Sequence, residues 1–276
     1  MAQIADSMIS SGVTVLAIVN LDNASGAAIQ EKAKQQGIAT IDYDRLTLGG
    51  SAEYYVSFDN EKVGQLQGEG LQKCLGQDTK ANIVYLNGSP DDSNATSFSK
   101  GAHSVLDANS NYEVVAEQAV PGWDNEEAGN IFEQMFTQNK GKIDGVLAAN
   151  DGLGGAAIAI LEKNGVAGKV PVTGQDATVQ GLQDVLAGTQ CMTVYKSANE
   201  EAGALADLAL ALAKGEKGET NGTSQDTEGD REVPSVLLDP VAITKDNVKQ
   251  VIDDGGQKAA EVCKGFEKEC QAAGIS

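Results

Sequence analysis

The sequence predicts an α/β fold in which parallel β-sheets are covered by helices on both faces. Short apolar, β-rich segments alternate with segments of helical periodicity along the chain. The predicted strands are nearly continuously apolar, which is typical of parallel strands buried on both faces. The chain has 276 residues, of which 41% are hydrophobic and 22% charged. This composition is ordinary for a folded globular protein, and at about 150 residues per domain the length suggests two domains.

The elements follow one another in a regular order. Residues 3–11 are predicted to form a helix, and VTVLAIVN (13–20) a buried strand. A helix over 24–36 follows and ends at Gly37, before the strand 38–42. The same alternation then continues through strand 54–58, a helix from Glu61, strand 82–87, a helix from about Ala95, strand 113–120, helix 125–138, strand 143–150, helix 154–164, strand 169–174, helix 178–187 and strand 191–196.

The last third of the chain begins with a long Ala/Leu-rich helix over 199–213. The polar segment 214–230 has no periodicity and is predicted to be a loop. A strand over 233–243 and two terminal helices are expected to complete the chain. No apolar run in the sequence approaches the ~20 residues that cross a bilayer, so no membrane-spanning segment is predicted.

The charge balance argues against two classes of partner. The chain has twenty Lys and Arg residues and forty Asp and Glu residues, which gives a net charge of −20. A surface this acidic repels phosphate backbones and anionic lipids, so nucleic acids and membrane surfaces are not expected to bind. Solubility alone accounts for the charge.

The cysteines and the single histidine do not predict a metal site, and no cofactor is expected. The four cysteines form no CxxC pair, and with His103 they match no familiar zinc ligand set. His103 lies in a predicted helix and is expected to be a surface or packing residue. A disulfide between Cys263 and Cys270 would suit an exported protein, and one bridge with two buried free thiols is equally allowed.

Ligands of parallel α/β sheets bind at the carboxyl ends of the strands, where loops and helix N-termini meet. In this chain those positions carry side chains that hydrogen-bond neutral polar groups, together with the single Trp. The sequence therefore predicts a site for a polar small molecule. The candidate segments are Asp42–Arg45, Asn87–Asn94, Gly122–Trp123, Asn150–Asp151, Gly174–Asp176 and Tyr195–Lys196.

Motifs for nucleotide binding and catalysis are incomplete. NDGLGG (150–155) lacks the GxGxxG spacing and a P-loop lysine, so helix capping by Asn150 or Asp151 explains it. No GxSxG motif occurs, and one histidine leaves little room for a Ser–His–Asp triad. A glycosidase carboxylate pair could in principle be drawn from the acidic residues Asp44, Asp91, Asp92 and Asp176. Acidic residues are abundant, however, and most are caps or solvated charges.

Trp123 lies in PGWDNEEA, between a predicted strand and a predicted helix. It is either a packing anchor at the surface or a flat apolar platform for the C–H face of a pyranose ring. In the second case the ring hydroxyls need directional partners at the rim. Carboxylates accept such hydrogen bonds and guanidinium groups donate them.

The strand-end segments also carry a resemblance to a known family. The segments are DYDR (42–45), YVSFDNEKVGQLQG (55–68), LNGSPDDSNA (86–95), GWDNEEA (122–128), KIDGVLAANDG (142–152), GKVPVTGQDA (168–177), AGTQCMTVYK (187–196) and VPSVLLDP (233–240). In collinear order over nearly the whole chain, they resemble the type I periplasmic sugar-binding proteins of bacterial ABC transporters, in particular the D-xylose-binding members.

The resemblance implies two doubly wound parallel-sheet lobes, joined by three crossover strands, with one sugar clamped between them. One lobe would comprise 1–56 and 197–237, and the other 57–194 and 240–276. The crossovers would fall at 54–60 and near 192–197 and 235–240.

The sugar contacts of the family match seven positions here: Arg45, Asp92, Asn94, Trp123, Asn150, Asp176 and Lys196. Arg45 and Lys196 would donate hydrogen bonds, and Asp92 and Asp176 would accept them. The two asparagines could do both, and Trp123 would stack on the sugar ring. Ser93 and Cys191 replace residues that are more often Asn and Thr in the family, which are minor departures.

The implied function is reversible capture of a monosaccharide, with D-xylose as the first candidate, and no chemistry. Hinge motion at the crossovers would close the lobes, and a membrane permease would recognise the closed form. The protein would act outside the cytoplasm, in the periplasm or as a cell-surface lipoprotein. A glycosidase or other sugar-acting enzyme is one alternative. A sugar-responsive regulator core is another, although no basic helix-turn-helix opens the sequence.

The N-terminus departs from the family pattern. The chain begins with an amphipathic segment rather than a signal peptide, and about one βαβ unit, on the order of 30 residues, is expected to be missing. The strand 13–20 would then have an unpaired edge, and apolar edge strands tend to pair with other chains. Weakened sugar binding or self-association is the expected consequence. Sub-micromolar xylose binding by a monomer would contradict it.

Overall fold

The computed structural model describes residues 1–275. Its helices are α1 Ala2–Ser10, α2 Asn23–Gln35, α3 Asn60–Leu75, α4 Ser93–Leu106, α5 Asn125–Gln138, α6 Asp151–Lys163, α7 Val179–Ala187, α8 Ala198–Ala213, α9 Lys249–Asp253, α10 Ala259–Val262 and α11 Glu267–Ala272. Its strands are β1 Val15–Ile18, β2 Ala39–Tyr43, β3 Tyr54–Phe58, β4 Ala81–Asn87, β5 Tyr112–Ala119, β6 Gly145–Ala148, β7 Thr193–Tyr195, β8 Gly222–Asp226, β9 Arg231–Leu238 and β10 Val241–Ile243.

The chain divides into two compact units. Unit 1 consists of Met1–Asp59, Asp91–Asn94 and Ala198–Asp239. Unit 2 consists of Asn60–Pro90, Ala95–Ser197 and the chain from Pro240 onward. Each unit is built from segments that are far apart in sequence.

Unit 1 is a five-stranded sheet in the order β1-β2-β3-β9-β8. The first three pairings are parallel, and β8 pairs with β9 antiparallel. Leu16 and Ile18 pack with α1 and α2 in one apolar cluster. Ile41 and Val56 pack with α8 in another. Because side chains alternate across a strand, helices cover both faces of this sheet, which confirms the predicted fold class.

Unit 2 has the same design. Its strands β5, β4 and β6 form a parallel sheet in that order. The sheet continues through a parallel bridge between Val146 and Val172 and a bond from Val194 N–H to the carbonyl of Gly174 (3.2 Å). Strand β7 then pairs antiparallel with β10. One face packs on α5 and α6 around Phe132, and the other on α3 and α4 around Tyr85.

Four sequence-based element predictions were wrong. The predicted strand 169–174 forms only isolated bridges, at Val170 and Val172. The predicted loop 214–230 contains β8. This strand lies at the sheet edge, so its sequence GTSQD can be polar and carries no apolar signal. The predicted strand 233–243 is two strands in different sheets, separated by Asp239 and Pro240. Two terminal helices were predicted, and the described chain has three short ones there. They are interrupted where Gly255 and Gly265 adopt φ values of 76° and 81°.

All four cysteines are paired. Cys263 bonds to Cys270, as the spacing suggested, and Cys74 of α3 bonds to Cys191 just before β7. The alternative of one bridge with two free thiols was therefore wrong. The second bridge closes a separation of 117 residues, so spacing alone gave no sign of it.

His103 has a packing role, as expected. Its ring stacks on Tyr85 with a centroid separation of 4.2 Å, and its nitrogens contact the carboxylates of Asp107 and Glu117. Residues 1–275 contain no group of three or more His, Cys, Asp or Glu side chains arranged to hold a metal ion. No helix in that range combines the length and apolarity required to cross a bilayer.

Candidate functional site

The loop after β2 is anchored through one backbone carbonyl. Asp44 adopts a φ of 62°, which is uncommon for a residue with a side chain. Its carbonyl oxygen accepts hydrogen bonds from Tyr55 Oη (2.9 Å), Ser57 Oγ (2.9 Å) and Asn94 Nδ2 (2.8 Å). These three donors fix the backbone directly before Arg45.

Arg45 forms an ion pair with Asp92. Its Nε lies 3.2 Å from Asp92 Oδ2, and the side chain of Asp92 is only 5% exposed, against 29% for Arg45. The other carboxylate oxygen, Oδ1, accepts the backbone N–H of Asn94 at 3.0 Å, in the first turn of α4. The sequence-predicted residues Arg45, Asp92 and Asn94 thus come together in unit 1. They are called the unit 1 cluster below.

The amide of Asn94 is hydrogen-bonded at both ends within this cluster. Its Oδ1 lies 3.1 Å from Tyr55 Oη and shares the single hydroxyl proton with the carbonyl of Asp44, to which the Asn94 Nδ2 donates (2.8 Å). Burial raises the pKa of Tyr55 well above its ordinary value, so its hydroxyl keeps its proton and remains a donor. The sequence did not point to Tyr55, because the tyrosine lies inside a strand and reads as core.

A second aspartate supports the same loop from inside the sheet. Asp42 is fully buried. Its Oδ1 accepts from Gln30 Nε2 and Thr47 Oγ1 (both 2.7 Å), and its Oδ2 accepts from Thr47 N–H (2.8 Å). These bonds close residues 42–47 into a ring that contains Arg45. Burial raises the pKa of Asp42 to about 6.

In unit 2, Trp123 ends a short 3₁₀ turn, Pro121–Trp123. Gly122 and Trp123 have φ values of 63° and 57°, and Gly122 N–H donates to Ser89 Oγ at 3.0 Å. The indole ring lies so close to Gly88 that a Cβ atom there would overlap it. The ring also meets Phe98 edge-on, with centroids 6.5 Å apart. Trp123 is half-buried in this position.

Phe98 also contacts Lys196. The Lys196 Nζ lies 5.8 Å from the centroid of the Phe98 ring, within the range of a cation–π interaction. Phe98 itself is buried. In the sequence it looks like any core residue of a helix. Trp123 and Lys196 are far apart in sequence, and both contact the Phe98 ring.

In unit 2, Asn150 follows β6, and Asp176 follows the segment 169–174, which joins β6 through the bridge between Val146 and Val172. Asn150 caps α6 by accepting Leu153 N–H at Oδ1 (2.9 Å), and its Nδ2 is a donor that the cap does not use. Asp176 is exposed, and its backbone N–H donates to the carbonyl of Val194 (2.8 Å), two residues before Lys196. The unit 2 cluster is defined below as Trp123, Asn150, Asp176 and Lys196.

Backbone strain is concentrated at these clusters. Six non-glycine residues within the described chain have positive φ, and four lie in or beside the candidate segments: Asp44, Trp123, Asp176 and Ala177. Such conformations cost on the order of 1–3 kcal/mol each and persist where surrounding contacts hold them. Their location supports a functional role for the loops that carry the predicted residues.

Comparison with protein families matches residues 1–217 to a periplasmic binding protein domain. The D-xylose-binding periplasmic protein of Escherichia coli (strain K12) is 40% identical over 266 residues, which cover 95% of this chain and 79% of that protein. Its Haemophilus influenzae counterpart is 39% identical, covering 91% of this chain and 75% of that protein. A multiple sugar-binding periplasmic receptor of Rhizobium radiobacter is 34% identical, covering 94% and 78%.

Solved structures agree with the sequence relatives. An ABC transporter solute-binding protein from Clostridium phytofermentans with bound β-D-glucose matches with a TM-score of 0.85 at 29% identity, covering 94% of this chain and 85% of that one. A carbohydrate transporter solute-binding protein from Chloroflexus aurantiacus in complex with D-glucose also gives 0.85, at 27% identity and with coverage of 93% and 84%.

Proposed function

The chain belongs to the periplasmic binding protein family, and we propose that it is the sugar-binding component of an ABC transporter, acting outside the cytoplasm. The observation that carries the proposal is the unit 2 cluster. A half-buried Trp and a Lys both contact the Phe98 ring. The polar side chains of Asn150 and Asp176 follow β6 and the segment that bridges to β6 at Val172. An aromatic surface beside directional polar groups suits a pyranose ring.

D-xylose is the ligand we assign first. The two relatives at 40% and 39% identity are both named for D-xylose. The relative at 34% identity is named for several sugars, and the two solved structures hold glucose. We therefore propose a pentose pyranose as the preferred ligand and a hexose such as glucose as the competitor.

Each cluster has a defined part in the proposed binding. In the unit 1 cluster, Arg45 donates to a sugar hydroxyl, Asp92 accepts, and Asn94 completes the polar rim. In the unit 2 cluster, Trp123 stacks on the ring, while Lys196 and the Nδ2 of Asn150 donate. Asp176 accepts from hydroxyls of the same sugar. Carboxylates and cations make stronger and more directional hydrogen bonds than neutral groups.

We propose that the two units correspond to the lobes 1–56 with 197–237 and 57–194 with 240–276, with the difference that Asp91–Asn94 belongs to unit 1. A ligand shifts a conformational equilibrium toward the state it binds better, so the sugar should favour the conformation in which the proposed residues bind it. A membrane permease is the proposed partner that recognises the sugar-bound state.

Selectivity follows from the same polar groups. An epimer with one hydroxyl in the wrong orientation leaves a desolvated donor or acceptor unpaired, which costs about 1–3 kcal/mol. Binding of this kind requires no bond to be broken. The sugar should be recovered unchanged.

A thermal-shift screen of monosaccharides with the whole chain tests the proposal. A sugar at 100 times its Kd stabilises the folded state by about 2.7 kcal/mol, so D-xylose should raise the Tm. Trp123→Ala should weaken xylose binding about tenfold or more, equivalent to about 1.4 kcal/mol, while the fold is retained. Leu210→Ala, at a residue 54% exposed on α8, is the matched control and should bind normally. Conversion of the sugar into product, or no shift with any monosaccharide, would refute the proposal.

A further inference from the structure

We propose that Asp151 is a positioning residue whose buried side chain clamps the Asp176–Ala177 turn and thereby presents Asp176 to the sugar. The link to sugar binding rests on the function proposed above. The clamp itself rests only on contacts within unit 2. Asp151 does not belong to the unit 2 cluster and is not proposed to touch the ligand.

Both carboxylate oxygens of Asp151 are saturated by donors. Oδ1 accepts from Gln190 Nε2 (2.8 Å) and Thr193 Oγ1 (2.7 Å). Oδ2 accepts from Thr178 N–H (2.8 Å) and Thr178 Oγ1 (3.0 Å). The residue is only 4% exposed. An acceptor-only group with four lone-pair sites matches these donors, and a side chain that carries an N–H does not.

The turn is held by Asp151 on both flanks. On one side the backbone N–H of Asp151 donates to the carbonyl of Gln175 (3.0 Å). On the other side its carboxylate accepts Thr178 N–H. Thr193 adds a relay, because its Oγ1 accepts Ala177 N–H (3.2 Å) and donates to Asp151.

The turn requires such support. Asp176 and Ala177 have φ values of 101° and 47°, a left-handed region that L-residues occupy at a cost. Two consecutive strained residues persist where surrounding contacts hold them, and the hydrogen bonds around Asp151 are such contacts. Asp176 is exposed, and the backbone of the turn sets the direction of its Cα–Cβ bond.

The carboxylate is also enclosed sterically. A Cβ atom at Gly174 would overlap Asp151 Oδ1, and one at Gly181 would overlap Oδ2. The two glycines therefore leave room for the carboxylate between the end of the 169–174 segment and the start of α7. The side chain has little freedom to release the turn by rotating.

The clamp is tested by amide hydrogen exchange on the whole chain at pH 7.5 without sugar. Asp151→Asn keeps the side-chain shape but places an NH₂ group among four donors. We expect the amides of Asp176, Ala177 and Thr178 to exchange about tenfold or more faster, and those of β4 to stay unchanged. Asp42→Asn, at the buried aspartate of unit 1, is the matched control and should leave these three amides unaffected. Unchanged exchange in Asp151→Asn would overturn the clamp.

A second variant covers the case in which Asp151→Asn does not fold. Thr193→Val removes the relay hydroxyl while keeping the side-chain size. It should accelerate exchange of Ala177 most strongly. If both variants fold and neither affects the turn, the proposal is wrong.

The coupling to sugar is tested by calorimetric titration of D-xylose in a double-mutant cycle. Asp151→Asn should weaken binding about tenfold in the wild-type background. In an Asp176→Ala background it should weaken binding less than about twofold, because residues that act through one another are non-additive. Additive losses would overturn the positioning role. A wild-type chain that binds no monosaccharide would instead refute the proposed function, and the exchange experiment would still decide the clamp.

Discussion

Asp42 and Asp151 occupy comparable places in the two units. Each is a buried aspartate next to a loop that carries a predicted sugar-binding residue, Arg45 in one case and Asp176 in the other. Burial raises the pKa of each carboxyl group to about 6. The two loops therefore depend on carboxylates whose ionisation costs free energy in the folded state.

The stability of the protein should reflect this cost. A carboxyl group with a folded pKa of about 6 and an ordinary value of 3.8 binds protons more tightly when folded. Between pH 4 and 6 the free energy of unfolding therefore gains a contribution from Asp42 as the pH falls, by at most about 1.4 kcal/mol per pH unit. Asp42→Asn should remove this contribution from the slope, measured by urea unfolding from pH 4.5 to 7.5.

The control for that experiment is Asp22→Asn. Hydrogen bonds from Ser25 lower the pKa of Asp22, so this group titrates below the window and its replacement should leave the slope unchanged. A wild-type slope in Asp42→Asn would contradict the account of Asp42.

At single positions, the sequence could identify side chains that follow a strand, but not what holds them. A helix cap by Asn150 or Asp151 was predicted, because a cap is local, and the structure assigns it to Asn150. The pair of Arg45 with Asp92 and the shared contact of Trp123 and Lys196 with Phe98 were not, since they join segments far apart in sequence. Phe98 carries no signal that separates it from a core residue.

At the scale of elements, prediction succeeded where apolar periodicity is strong. The ends of α5 at Asn125 and Gln138 and of β3 at Tyr54 and Phe58 agree with the sequence pattern. Strand β8 was missed because an antiparallel edge strand need not be apolar on either face. The segment 169–174 was predicted as a strand, but it forms only isolated bridges, one of which joins Val172 to Val146 of β6.

Strand β1 lies at one edge of the unit 1 sheet, with exposed apolar residues around it. Val19 and Leu21 after the strand are 45% and 70% exposed, and Ile4 of α1 is 67% exposed. Edge strands beside apolar surface tend to pair with another chain. We therefore predict concentration-dependent self-association, visible by sedimentation velocity.

Val19→Lys should reduce this self-association, because a charge at a strand edge opposes pairing. Leu210→Lys, at an exposed residue of α8, is the matched control and should associate as the wild type does. A wild-type chain that remains monomeric at high concentration would show that this edge is not an association surface.

For the whole molecule, the order of strands and helices was sufficient to predict the fold class, and the collinear strand-end segments were sufficient to predict the family. A net charge of −20 agrees with a ligand that carries no negative charge. The identity of the ligand depends on the positions of several loops. Long-range contacts such as those of Asp44 and Asp151 set these positions.

The central proposal is that predicted residues of each unit are needed to bind a monosaccharide, and calorimetric titration of D-xylose tests it most directly. The wild-type chain should bind one sugar, and Arg45→Ala in unit 1 and Lys196→Ala in unit 2 should each weaken binding about tenfold or more, since each removes a charged hydrogen-bond donor. Unchanged affinity in either variant would contradict the claim.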